Sequence, residues 1–410
     1  MSRALDRCKN IADLRVLAKR RLPAPMFHYI DGGADDEITL GWNSSAFERY
    51  ELLPRYLRDI RSIDTSTTLF GQRVEVPFFL SPTGMSRLFH HEKEIAAARA
   101  ADEFGTFYTL STLATTSLED IAEITASPKM FQIYILKDRE LTREFAQRCK
   151  AAGFEAMCLT VDVPLAGNRE REIAHGMHMP PSFRFGSLLS FALHPGWTLR
   201  YLRNPEFKLA NVAHRVDALG KGRMGLIEYV NSQFDRSVTW KDAEWLVGEW
   251  DGPMVIKGLQ TVDDARQARD IGARGIMVSN HGGRQLETAP APIDCIAEIA
   301  DAVGDELDIV CDGGIRRGTH VIKALAMGAK AVSFGRPYLY GLAAGGFEGV
   351  VKALSLMKSE LERDMALLGC RSIAEIGPEH VRLHAGTSEP KRPTERPTER
   401  PKERPKERLE

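Results

Sequence analysis

The sequence is poor in the features that mark exported, metal-binding and membrane-spanning proteins. Its six cysteines are scattered and form no CxxC pair, so the usual zinc and iron–sulfur spacings are absent and reduced thiols in an intracellular protein are expected. Residues 1–10 are charged and lack an apolar core, so no export signal is expected. No stretch of about 18 uncharged apolar residues occurs, which argues against a membrane-spanning helix.

An excess of charge of one sign is also lacking. The formal net charge at pH 7 is −1, because 55 lysines and arginines face 56 aspartates and glutamates. Such a balance gives no general attraction to nucleic acid. With 410 residues and a hydrophobic fraction of 43%, the chain can bury a large core in one domain or two. A cytoplasmic protein without a metal centre is expected.

The end of the chain has almost no apolar residues. Proline recurs at every fourth position from Pro393 to Pro405. This spacing forbids a helix, and the segment has nothing to bury. Residues 376–410 are therefore predicted to form a disordered tail with no part in the chemistry.

From residue 77 onward the sequence shows a regular alternation of short apolar runs and helical patterns. The runs are 77–80, 106–109, 130–134, 156–161, 254–257, 275–278, 309–311 and 331–334. This alternation is typical of parallel βαβ units, and about eight such units close into a (β/α)8 TIM barrel. An open doubly wound α/β sheet is the alternative, against which no GxGxxG turn follows the first run.

Two segments depart from this alternation. Residues 1–76 are predicted to be an N-terminal helical extension, because the apolar spacing over 11–42 is helical with a break at Pro23. The barrel spans 77–375, with a long insertion after the fourth strand at 163–253. Within the insertion, 183–203 mixes large apolar residues with three arginines, Trp197 and Tyr201. It is predicted to lie in a membrane interface or, alternatively, to pack on its own barrel or another subunit.

The loop at 278–285 carries two residues suited to chemistry on an organic acid. His281 and Arg284 are separated by two glycines, which let the backbone turn sharply and approach a planar ligand. Histidine can act as a base near neutral pH, and arginine grips a carboxylate with two bonds. The pair suits an acid whose neighbouring carbon loses a proton or hydride. A surface loop with a structural histidine is the alternative.

Other predicted strand ends are also polar or rich in glycine, as expected at the active-site end of a barrel. The segment 312–318 and Gly335-Arg336 combine bare amides, helix N-termini and arginines, which favours phosphate binding over a simple turn. Lys257 ends a strand in an apolar setting, where a lone cation is costly. It is predicted to face an electron-rich partner or to form a buried structural ion pair.

These motifs, in this order, resemble the FMN-dependent α-hydroxy acid dehydrogenase and oxidase family. The most specific match is Ser-Asn-His-Gly-Gly-Arg-Gln at 279–285. The further matches are Pro82-Thr83-Gly84, Thr160-Val161-Asp162, Lys257-Gly258, 312–318 and Gly335-Arg336-Pro337. The resemblance covers residues 10 to 375 and implies an FMN-binding barrel. A flavin-binding barrel without turnover would lack His281, Arg284 and Asp162 as a set.

The resemblance also implies site roles. His281 would be the base, oriented by Asp162, and would take either the α-proton or the hydroxyl proton. Lys257 would stabilise negative charge on the flavin. The side chains implied to bind the substrate carboxylate and hydroxyl are Arg284, Arg169, Tyr29 and Tyr134. The residues implied to hold FMN are Pro82, Thr83, Gly84, Ser111, Gln132, Thr160, Lys257, Ser279, Asp312, Gly314, Arg316, Gly335 and Arg336.

The implied reaction is the oxidation of an (S)-2-hydroxy acid to a 2-oxo acid. Gly84 stands where oxidases of the family tend to carry alanine, and 183–203 is similar to the membrane segment of mandelate-type dehydrogenases. A dehydrogenase that passes electrons to a quinone at the cytoplasmic face of the membrane is therefore expected, with an oxidase producing hydrogen peroxide as the alternative. Leu113 and Met85 favour mandelate or a longer aliphatic acid over lactate. The family leans to tetramers.

Overall fold

The computed structural model describes residues 3–177, 185–205, 207–217 and 232–385. The strands in these ranges are β1 Tyr50–Leu52, β2 Thr67–Leu69, β3 Gln72–Val74, β4 Phe78–Thr83, β5 Tyr108–Ser111, β6 Lys129–Ile133, β7 Ala156–Thr160, β8 Met254–Leu259, β9 Gly275–Ser279, β10 Asp308–Asp312, β11 Ala331–Phe334 and β12 Val381–Leu383. Strands β4 to β11 are parallel and close into a barrel, in which β11 pairs with β4. The predicted TIM barrel is confirmed, and the open-sheet alternative is wrong.

The barrel strands alternate with helices on the outside. The described helices are α1 Arg3–Asp6, α2 Ile11–Arg21, α3 Ala24–Asp31, α4 Ile38–Ser45, α5 Lys93–Glu103, α6 Leu118–Ile124, α7 Arg139–Ala151, α8 Glu170–Ala174, α9 Phe185–Leu193, α10 Pro195–Arg203, α11 Ala213–Asp217, α12 Trp240–Trp250, α13 Val262–Asp270, α14 Pro292–Val303, α15 Gly318–Ala326 and α16 Arg336–Leu368. Ser117, Asp138 and Thr261 cap three of them by accepting backbone N–H bonds.

The barrel interior is filled with apolar side chains such as Phe79 and Met277, both fully buried. The hairpin of β2 and β3 closes its amino-terminal end. Phe70 of this hairpin packs edge-on against Phe107, and its backbone N–H donates to Oδ2 of Asp308 over 2.6 Å. Functional groups must therefore collect at the opposite rim, where the strands end.

The N-terminal segment is helical, as its apolar spacing predicts, but it forms separate helices. Helices α2 and α3 meet at Pro23, which cannot continue α2 and stands at the N-cap of α3. Helix α2 packs along α16, and α3 carries Tyr29 to the rim. The chain therefore returns to the barrel mouth before the first barrel strand begins.

The insertion between β7 and β8 places a helical hairpin at the rim. Helices α9 and α10, which cover most of 183–203, are fastened there by two hydrogen bonds. Nε1 of Trp197 donates to the carbonyl of Leu88 over 2.9 Å, and the amide of Ala24 donates to Oγ of Ser190 over 2.8 Å. Residues 183 and 184 lie outside the described residues. No helix in the described ranges combines the length and apolar character needed to cross a bilayer.

The predicted start of the tail at residue 376 is too early. Residues Pro378–His380 form a 3-10 helix, and β12 pairs antiparallel with β1, with Leu383 opposite Tyr50. His380 is buried, and the pairing satisfies backbone groups that composition alone does not reveal. Residues 386–410, which hold the proline repeats, lie outside the described residues.

Candidate active site

The loop after β9 places a histidine against an aspartate that follows β7. Nδ1 of His281 lies 2.9 Å from Oδ1 of Asp162. His281 has a φ of 57°, in the left-handed region, and its amide donates to Oγ of Ser279 over 3.1 Å. Nε2 of Gln285 donates to the carbonyl of Asp162 over 2.8 Å. A Cβ on Gly258 would lie 2.7 Å from Cβ of Asp162, so only glycine lets β8 approach this closely.

This pair is electrostatically tuned to act as a base. Burial lowers the pKa of His281, although Asp162 opposes that shift. Burial alone would raise the pKa of Asp162, but His281 and Lys257 outweigh it and the pKa is lowered. A charged carboxylate can only accept, so Nδ1 of His281 carries the proton and Nε2 has the free lone pair. The imidazole is therefore neutral near pH 7 and ready to take a proton.

The activity is expected to fall on the acid side as His281 becomes protonated. Because its pKa is lowered, the fall in kcat/KM should come below the ordinary histidine value of 6.5. Asp162→Asn removes the group that favours the imidazolium, so it should move this limb to still lower pH. It should also lower the plateau by about two orders of magnitude, since the tautomer is no longer fixed. A pH profile of kcat/KM for both proteins measures this, and an acid limb that moves upward in the variant contradicts it.

A buried charged network lies beneath this pair. Nζ of Lys257 donates to Oγ of Ser279 over 2.9 Å and lies 3.1 Å from Oδ2 of Asp312. Oγ of Ser81 and of Ser333 each donate to Oδ1 of Asp312 over 2.6 Å. Burial would lower the pKa of Lys257, but Asp312 and Asp162 raise it. Lys257 thus forms the ion pair that was one of its two predicted roles, and its ammonium stays charged.

The two arginines implied to bind a carboxylate lie together near α3. Nη1 of Arg284 donates to the carbonyls of Tyr29 and Gly32 over 2.8 and 3.1 Å. Its guanidinium lies 5.1 Å from the ring centroid of Tyr29. Nε of Arg169 reaches the carbonyl of Arg284 over 3.4 Å. The structure therefore brings Arg284, Arg169 and Tyr29 together, as the resemblance implies.

Two buried polar groups on β6 and β7 have no partner among the described residues. They are Nε2 of Gln132 and Oγ1 of Thr160. Oε1 of Gln132 accepts from Oγ of Ser111 over 3.1 Å, which fixes the amide. An unsatisfied buried group costs about 1–3 kcal/mol. A flat ligand with donors and acceptors on its edge, such as an isoalloxazine, would be able to bond to both groups.

Two partly buried arginines favour an anion beyond β10 and β11. Within the described ranges neither Arg316 nor Arg336 forms an ion pair with a carboxylate. Burial lowers the pKa of both, that of Arg336 to about 10. Arg316 follows Gly314, which has a φ of 77°, and Gly335 stands at the N-cap of α16. These groups fit the phosphate of the implied cofactor. Asp312, implied to hold the same end, belongs to the network under Lys257.

The remaining implied cofactor residues lie at the end of β4. The pairing of β4 with β5 shifts register between Leu80 and Thr83, so Pro82 lies in the irregular part. Oγ1 of Thr83 hydrogen-bonds the hydroxyl of Tyr338. A Cβ on Gly84 would lie 3.0 Å from Cβ of Leu113. The close packing leaves little room for a side chain at position 84.

Several rim contacts were not predicted from the sequence. The side-chain amides of Asn43 and Asn280 bond each other reciprocally over 2.8 and 2.7 Å. Glu94 is fully buried and accepts bonds from the segments at 86 and 115–116. Glu172 is buried beside Arg169. Two sequence signals could have revealed the glutamates. Glu94 lies on an alanine-rich helix face, and Glu172 comes three residues after Arg169.

Comparison with known proteins agrees with this geometry. The sequence profile of the family described as FMN-dependent dehydrogenase matches residues 18–383. A putative L-lactate dehydrogenase of Mycobacterium tuberculosis is 40% identical over 380 residues, 92% of this chain and 90% of the relative. An L-lactate oxidase of Nostoc sp. is 42% identical over 378 residues, 91% of this chain and 98% of the relative.

A solved structure is also similar over nearly the whole chain. It is described as the monotopic membrane protein (S)-mandelate dehydrogenase, and it has a TM-score of 0.88 at 33% identity, covering 92% of this chain and 100% of that one. The buried groups of β6 and β7 fit FMN, which is the cofactor of the matching family, and so do Arg316 and Arg336, which form no ion pair with a carboxylate in the described ranges. By its barrel, its rim and its sequence, this chain belongs to the FMN-dependent dehydrogenase family.

Proposed function

We propose that this chain oxidises an (S)-2-hydroxy acid to the 2-oxo acid and passes the electrons to a quinone-type acceptor. The main support is the neutral imidazole of His281, oriented by Asp162, beside the guanidinium groups of Arg284 and Arg169. A base next to an anion-binding pair suits a substrate with a carboxylate beside the reacting carbon. Relatives named lactate dehydrogenase and lactate oxidase agree with this reaction.

Each residue at the rim has a separate role in the proposed reaction. Arg284 and Arg169 hold the substrate carboxylate, with Tyr29 beside them. Burial raises the pKa of Tyr134, so its hydroxyl keeps its proton and can donate to the substrate hydroxyl. His281 takes a proton from the substrate, and Asp162 stabilises the imidazolium that results. FMN, when bound, supplies the acceptor for the two electrons that the acid loses.

The substrate side chain is proposed to be apolar and larger than that of glycolate. The apolar side chains beside Tyr134 support this, among them Leu113 and Phe234, whose ring centroid lies 5.0 Å from that of Tyr134. Met85 is buried near the end of β4. Mandelate and longer aliphatic acids should therefore have higher kcat/KM than lactate in a substrate panel, and a preference for glycolate would contradict this.

The acceptor is the finer part of the proposal. Gly84, packed against Leu113, and the α9–α10 hairpin support a dehydrogenase. The lactate oxidase relative supports the alternative, an oxidase that forms hydrogen peroxide. Anaerobic addition of (S)-mandelate to the holoenzyme should bleach the flavin, which tests the first half-reaction. Mixing the bleached protein with a quinone analogue or with oxygen then tests the second, and faster recovery with oxygen would favour the oxidase.

A peripheral attachment to the cytoplasmic face of a membrane is also proposed. Leu188, Leu189, Leu193, Leu199 and Leu202 on the α9–α10 hairpin are each at least half exposed. Arginines at the end of α10 can meet anionic headgroups at the edge of this apolar surface. The structural relative is described as a monotopic membrane protein. A homotetramer, implied by the family resemblance, can be tested by light scattering.

Binding to lipid vesicles is expected to depend on this hairpin. Leu193→Glu combined with Leu202→Glu should weaken binding to anionic phospholipid vesicles by at least about tenfold, because two leucines lose their apolar contact. The rate with a soluble acceptor should not change. Leu367→Glu on α16, at 67% exposure similar to the 69% of Leu193, is the matched control. Equal losses in both variants would show that the hairpin is not the attachment surface.

A further inference from the structure

A buried carboxylate of the chain itself lies among the arginines of the substrate site. Glu172 is on α8, and its side chain is 4% exposed. Its Oε1 lies 2.8 Å from Nη1 of Arg284, and its Oε2 lies 3.8 Å from Nη1 of Arg169. The two arginines proposed to hold the substrate carboxylate therefore already share one carboxylate.

The position of Arg284 leaves part of its guanidinium for a second carboxylate. In the described part of the chain, its hydrogen bonds and its ion pair all involve Nη1, which contacts Tyr29, Gly32 and Glu172. Nη2 and Nε are thus left for a ligand. A carboxylate that binds there adds a second negative charge beside that of Glu172.

The charges of Arg169, Arg284 and Glu172 determine which anions this cluster can bind. Burial lowers the pKa of Arg169, and the nearby positive charge of Arg284 lowers it further. Glu172 offsets one of these two positive charges. Burial raises the pKa of Glu172, but the charges of Arg284 and Arg169 oppose that shift. Taken together with Glu172, the two arginines carry one net positive charge, which a monocarboxylate neutralises and a dicarboxylate exceeds. At these short separations and with little solvent, one unit of charge has a large effect on binding.

We propose that Glu172 is a specificity-determining residue that leaves the pair of Arg169 and Arg284 with one net positive charge and so selects monocarboxylates over dianions of the same size. This role rests on the proposed function, because it takes Arg169 and Arg284 to be the groups that hold the substrate carboxylate. It goes further, since it explains why a site with two arginines accepts an acid with one charge. Selection of this kind works by an added repulsive element.

Oxalate and oxamate test the proposal, because they have nearly the same shape and differ by one charge. Their dissociation constants are measured from the change in flavin absorbance of the holoenzyme, without turnover. In Glu172→Gln, the dissociation constant of oxalate should fall relative to that of oxamate by about tenfold or more. Glu172→Asp keeps the charge and should keep the wild-type ratio.

Glu170→Gln is the matched control, because Glu170 is an exposed glutamate on the same helix. It should leave the ratio unchanged. An unchanged ratio in Glu172→Gln would overturn the proposal. An equal shift in Glu172→Asp, or a Glu172→Gln protein that no longer binds FMN, would assign Glu172 a structural role and overturn it too. The proposed function fails separately, if no 2-hydroxy acid bleaches the wild-type flavin.

Discussion

His281→Gln is expected to retain FMN and to slow the bleaching of its flavin by the hydroxy acid by about 10²–10⁴-fold, the usual range for loss of a general base. The glutamine amide cannot take a proton near neutral pH, and no other described residue at the rim combines a neutral lone pair with a hydrogen bond to the carboxylate of Asp162. Anaerobic stopped-flow measurement of the flavin absorbance gives the rate directly.

Backbone strain must be separated from the loss of the base. His281 has a φ of 57°, a conformation that asparagine tolerates better than most residues. His281→Asn should therefore be folded at least as well as the glutamine variant and should be equally slow. His91→Gln changes an exposed histidine and should keep the wild-type rate. A normal rate of bleaching in either position-281 variant would refute the assignment of the base.

Lys257→Met is expected to lower the free energy of unfolding by about 3–5 kcal/mol, because it leaves a buried carboxylate without its partner. Nζ of Lys257 lies 3.1 Å from Oδ2 of Asp312, and both side chains are less than a tenth exposed. Lys257 also helps to hold the pKa of Asp312 at about 2. Urea unfolding followed by circular dichroism measures the loss.

The pair can be tested as a double-mutant cycle. Asp312→Asn alone should also be destabilising, because it leaves the buried ammonium of Lys257 uncompensated. The combined variant has neither charge and should regain most of the lost stability. Its flavin should nevertheless be bleached more slowly than in the wild type, since the positive charge of Lys257 beneath the rim is gone. A combined variant that is as unstable as the sum of both single variants would show that the ion pair does not link these residues.

The fold followed from local patterns because each barrel strand is a short buried run. The runs at 156–161 and 275–278 correspond to β7 and β9, and the functional groups Asp162 and His281 come directly after them. In a parallel barrel all strand ends meet at one rim, so order along the chain was enough to predict that these groups would lie close together.

The parts that sequence could not predict depend on contacts between distant segments. Asn43 and Asn280 bond each other across 237 positions of the chain, and although Asn280 lies in the motif at 279–285, no local pattern marks Asn43 as its partner. The last residue of β10, Asp312, bonds to Lys257 and to serines of three other strands, and spacing along a strand end cannot reveal these contacts. Strand β12 was missed because its order depends on pairing with β1, far away in the sequence.

The hairpin of β2 and β3 has a consequence for how ligands move. Phe70 seals the amino-terminal end of the barrel, and side chains fill its interior. The described part of the protein therefore has no second entrance to the active site through the barrel. Acid, product and electron acceptor must all arrive and depart on the same side, next to the α9–α10 hairpin. Substitutions near that hairpin should therefore affect the access of all three ligands. If the hairpin binds a membrane, as proposed, the entrance to the active site faces the lipid, from which the proposed quinone could enter directly.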